Sequence, residues 1–222
     1  MADQFDFGDG LGPIPAHRHR NPRGALVGGW VADSAIVAPT ATIGYDAKVF
    51  GTALILENAK ISDHALVFGD AHVRDSAEVG GFAQVYGSCF IKDQALVNGK
   101  SVIADEAWVT GSSQVTDNAG VTGNALVSDN AIVAGDAKIT GKARITNNAK
   151  IQDQAFIGGN ATVCDHAVIC QNAQIIEKAE IGGTSIIGGH VILSTGYYRD
   201  CHMGTALAAA IAALLDIDAA IG

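Results

Sequence analysis

Between Val31 and Ile187 every sixth residue of the chain is Val or Ile, 27 positions in succession. Two residues before each stands a small residue. From Ala35 to Ala179 it is Ala at 22 of 25 positions, the others being Cys89, Ser101 and Ser113. Two residues after each aliphatic stands Gly or Asp at 21 of 27 positions. The segment Ala119-Gly120-Val121-Thr122-Gly123-Asn124 shows the unit. Residues two apart on a strand point to the same face, so Ala and Val turn inward together and the residues beside them turn outward. Gly, Asp and Asn tolerate the tight or left-handed torsions that bend a chain between strands. Three flat sides close a triangle of 18 residues, with Val and Ile at its centre and Ala where space is tightest. Coils of this kind hydrogen-bond to their neighbours at about 4.8 Å. Residues 29 to about 193 then make about nine coils, a prism roughly 45 Å long. A period of six fits neither a helix nor a heptad, and the turns are too frequent for a sandwich. A lattice this regular predicts one stacked-repeat domain.

Two segments fall outside the lattice. Residues 1–28 carry three of the four prolines, Pro13, Pro15 and Pro22, and the basic run from His17 to Arg23. They predict an extended arm that lies on a neighbouring subunit, with Arg18, Arg20 and Arg23 against an acidic partner surface. His17 and His19 are spaced to point the same way on such an arm. Three copies at a trimer axis would make them a secondary candidate metal site. Residues 194–222 hold a plausible N-cap at Thr205 and an apolar run with Leu207, Ile211, Leu214 and Leu215 on one flank. That reads as a short helix serving as a cap or an oligomer contact, because a membrane span needs about 20 residues.

Composition narrows the partners. With 14 basic and 23 acidic residues the net charge is −9, which argues against non-specific nucleic-acid binding. No run of 18 apolar residues predicts a membrane segment, and Met1-Ala2-Asp3-Gln4 starts no signal peptide, so synthesis in the cytoplasm is expected. The four cysteines fit neither a disulfide framework nor a zinc spacing.

The outward positions carry the other signal. Phe50, Phe68 and Tyr86 recur at 18-residue intervals, and so do Ile36, Leu54, His72, Phe90, Trp108 and Leu126. Columns of this kind make a contiguous apolar stripe, read here as a homotrimer interface built on Phe50, Leu54, Phe68, Tyr86, Phe90, Trp108 and Leu126. Farther along, the outward residues turn to threonine and serine, as at Thr110, Thr116, Thr122 and Ser128.

The repeat resembles that of the hexapeptide-repeat superfamily, whose fold is the left-handed parallel β-helix. The opening Gly28-Gly29-Trp30-Val31 and the closing Cys201-His202-Met203-Gly204-Thr205 are similar to those of YdcK-type repeat proteins of bacteria and bacteriophages. The resemblance implies the handedness and a trimer. It also implies an alternative activity, acyl transfer from an acyl coenzyme A donor at a site between subunits, with a histidine as general base. The candidates for that base are His190 and His166. The lattice has no insertion to serve as a lid over a donor, so the preferred expectation is a non-enzymatic structural protein without a cofactor. It would be a trimeric component of a phage virion, a capsid decoration or a fibre, anchored to a capsid or tail through its arm.

Overall fold

The inward slots decide the architecture. From Ile43 to Ile187 every lattice aliphatic is at most 1% exposed, and the Ala, Cys or Ser two residues before each is fully buried. The computed structural model describes residues 3–22 and 27–204. Over these residues the chain is an all-β parallel solenoid of ten coils, each made of three short strands. Strands 18 residues apart pair in parallel, as Val85 with Ile103 and Ile103 with Val121, and so build three long sheets. The first sheet follows the column Val31, Val49, Val67; the second follows Val37, Ile55, Val73; the third follows Ile43, Ile61, Val79. Where serine takes the small slot its hydroxyl bonds at once to a corner carbonyl, as Ser101 to Asn98 at 2.7 Å and Ser113 to Thr110 at 2.8 Å. Buried polar groups stay satisfied in this way. Burial among apolar neighbours pushes the Cys89 thiol up to about 12.

The corners explain the Gly/Asp preference more fully than turn propensity does. From Gly51 to Gly189, all 24 corner positions have φ between 53° and 81°, and twelve of them are not glycine. At Gly51 a side chain would also meet the backbone nitrogen of Gly69 at 2.7 Å. Where the corner is acidic, the carboxylate reaches one coil onward and accepts the next corner's N–H. Asp63 takes Gly81 N–H at 2.9 Å, Asp117 takes Gly135 N–H at 2.9 Å, and Asp153 takes Gln171 N–H at 2.8 Å. A short acceptor that tolerates left-handed torsion meets both demands at once.

The N-terminal segment departs from expectation. Instead of extending onto another subunit, it folds back on its own chain. Strand β1 (Gln4–Phe5) pairs antiparallel with β2 (Ile14–Arg20), and β2 pairs antiparallel with β3 (Val27–Ala32), the first strand of the first coil. A solenoid's first coil presents an unpaired strand edge, and β2 occupies it. Asn21 does the same for the third sheet. Its side chain accepts the Ile43 N–H at 2.8 Å and donates to the Ile43 carbonyl at 3.0 Å, imitating a strand.

At the other end, strands continue past Leu193. Tyr197–Arg199 and His202–Met203 complete a tenth coil of shorter spacing. The helix expected from Thr205 onward lies outside the described residues, and so does Arg23.

Candidate functional site

Outward residues on either side of one corner of the prism build an aromatic edge. Phe50 and Leu54 flank the corner at Gly51, and the residues 18 and 36 positions later repeat the arrangement. Because coils stack in register, equivalent side chains must lie one above another. Phe50 and Phe68 stack with ring centres 4.8 Å apart, and Phe68 and Tyr86 follow at 5.0 Å. In the adjoining column His72 tilts against Phe90 at 4.6 Å, and Phe90 stacks on Trp108 at 4.6 Å. Trp108 is 41% exposed, and Tyr86 and Phe90 are half-buried. Leu54 and Leu126 extend that column above and below.

The upper end of this edge is already occupied. Phe7, from the loop after β1, stacks on Phe50 at 4.9 Å, meets Phe5 edge-on at 5.0 Å, and Phe5 lies on Trp30 at 4.5 Å. Phe50 is consequently only 8% exposed. Its place in the expected interface is therefore corrected: the chain's own arm covers it, and the free part of the edge begins at Phe68. Nothing periodic in the sequence marks Phe5 or Phe7 as members of the column.

The basic run is likewise divided. Arg18 is held by its own chain, its guanidinium 4.7 Å from the Trp30 ring and 4.2 Å from the Tyr45 ring. It donates to the Gly28 carbonyl at 3.1 Å and to the Tyr45 carbonyl at 2.7 Å. Arg20 is exposed on the cap. His17 and His19 do not face the same way, because the register of β2 against β3 shifts between Arg18 and Arg20. His17 stays outside, its Nδ1 2.8 Å from the Asp33 carboxylate. His19 turns inward, 6% exposed, with Nε2 3.1 Å from the Ala41 carbonyl. Desolvation lowers its pKa below the ordinary histidine value. Among the described residues no three His, Cys, Asp or Glu side chains converge in a metal set.

The candidate general bases are placed apart. His166 and His190 are both exposed, at corners that follow the second and the third sheet respectively, so they stand on different edges. The nearest described polar partner of His166 is the Asn148 side chain, 3.5 Å from Nε2. A further aromatic pair, His64 stacked on the 58% exposed Phe82 at 4.8 Å, occupies the corner between the third and first sheets. The two positions lie 18 residues apart, so the stacking of coils brings them together.

Comparison of the sequence with models of known protein families and with curated proteins gives no match.

Proposed function

We propose that the protein is a non-enzymatic structural rod that assembles as a homotrimer through its free aromatic edge and serves as a component of a larger assembly, most plausibly a phage virion. Its solenoid would have the left-handed twist of the hexapeptide-repeat proteins it resembles. One observation supports this above the others. Below the arm, Phe68 stacks on Tyr86 and Phe90 on Trp108 in two adjoining columns that flank one corner of the prism. An aromatic edge of this kind is costly to leave in water, and a three-fold ring covers one edge of every subunit with a single contact. The arm supplies a precedent for what the edge accepts, since Phe7 sits on Phe50 as a further ring in the same stack. Within the assembly, Arg20, exposed on the cap, is the anchoring residue in this reading, with Arg23 beside it in sequence.

Light scattering on the purified protein tests the trimer. The wild type is expected to be trimeric, and the double variant Phe68→Glu with Trp108→Glu monomeric, since desolvated aromatics supply most of an interface's energy. A double variant that remains trimeric refutes the assigned edge. Mass spectrometry of purified virions tests the assembly: the chain should appear at stoichiometric level.

A further inference from the structure

Gly120 has no role in the fold. Of the 27 outward residues that immediately precede a lattice aliphatic, it is the one glycine. Its φ is not positive, and a Cβ built on it would meet nothing within 4 Å. A strand interior is weakened by glycine, roughly 0.5–1 kcal/mol relative to alanine, so a glycine that the backbone does not require marks a place where something approaches closely.

The surroundings describe what that is. Missing its side chain, Gly120 opens a hollow of about 380 Å³ on the first sheet, below the end of the aromatic column. Val102 and Phe156 line it, with Thr122 and Thr140 along one side. Phe156 is laid across the sheet: a Cβ on Gly158 would lie 2.7 Å from its ring, so only glycine there lets the ring lie down. A second hollow of about 640 Å³ continues from it past Lys138, sharing Asn118 and Phe156. Its rim is a row of paired planar side chains. Asn118 donates to Asp136 at 2.9 Å, and Asn172 donates to Gln154 at 2.9 Å. Each pair keeps oxygens and N–H groups for a further partner. One carboxylate, Asp136, and one ammonium, Lys138, give the rim no net charge.

We infer that this groove, from Gly120 to Gln174, binds a short neutral saccharide. A pyranose ring has an apolar face for Phe156 and the Gly120 notch, and hydroxyls that both donate and accept for the carboxamides and threonines. An anionic or cationic ligand would find its countercharge cancelled by the opposite member of the Asp136 and Lys138 pair. The size suits a ligand of one or two rings, within the range of small-molecule sites.

An array of immobilised neutral oligosaccharides, followed by calorimetric titration of the best binder, tests this on the full chain. Gly120→Val adds a strand-favouring side chain in open space, so melting should hold or rise slightly while affinity falls about tenfold or more, and Phe156→Ala should lower affinity likewise by removing the platform. The inference is overturned if no neutral saccharide is retained, or if both variants bind like the wild type. It is also overturned if Gly120→Val changes the oligomeric state, which would assign the groove to a contact between copies. The trimer reading is judged separately, by the Phe68 and Trp108 variant.

Discussion

The cap and the interior of the first sheet are built by different rules. In the prism, each residue's partners stand 18 positions away, and the interior of one coil repeats that of the next. In the cap, antiparallel strands, a register shift and a set of single-use contacts hold the chain: Phe7 on Phe50, Arg18 between Trp30 and Tyr45, Asn21 on Ile43. A repeat can stabilise itself only through its neighbours, and the first coil has a neighbour on one side alone. The cap substitutes for the missing coil with contacts that do not follow the 18-residue period. Regularity is therefore a property of the interior, and specificity gathers where it stops.

The largest effect that separates the two regions comes from Val121→Asp. It places a charge without a partner in the centre of the prism, at more than about 4 kcal/mol, and should abolish cooperative melting followed by circular dichroism. Wild-type melting would mean that the lattice does not carry the stability assigned to it. Phe7→Ala is expected to cost about 3–4 kcal/mol, the range for emptying a buried aromatic site, but locally. Amide hydrogen exchange should accelerate over residues 27–49 and stay unchanged around Val133. Acceleration throughout would show that end and middle unfold as one unit. The smallest effect is a pH dependence confined to the cap. His19 is neutral when buried, and its folded pKa lies below the unfolded value of about 6.5. The unfolded state thus takes up the proton first. Cap stability is full above pH 6.5 and declines as pH falls through that value toward the lowered folded pKa. The charge of His17, two residues away on the same strand, adds to the lowering. Exchange of the Ile43 amide, corrected for intrinsic rate, should report the decline, and His19→Gln should remove it.

The prism was legible in the sequence because each structural demand recurs at a fixed interval, so that even the three departures at Cys89, Ser101 and Ser113 could be placed inward. The same regularity gave the stacked columns through Phe68 and Trp108. The corner carboxylates were legible only in part: turn preference explains the left-handed torsion at Asp117 but does not show its reach to Gly135. The cap was not legible. Phe7 meets Phe50 across 43 residues with no period to announce it, and prolines that suggested an extended arm proved compatible with a folded-back one. Spacing alone put His17 and His19 on one side, and a single register shift undid it. The repeat already placed Gly120 outward between Ala119 and Val121, and what the spacing could not show is the open hollow beside it.

The match between unit and coil has a consequence for how such a gene can change. Inserting or deleting 18 residues lengthens or shortens the rod by one step of about 4.8 Å and leaves every column on its own face. Inserting or deleting six leaves the interior just as well filled, yet moves every downstream surface residue one face around the prism. Trp108 would then leave the edge of Phe68, while Val121 would hardly register the difference. The interior is blind to a frame that the exterior depends on, so the alignment of the aromatic column records what the surface does rather than what the fold requires.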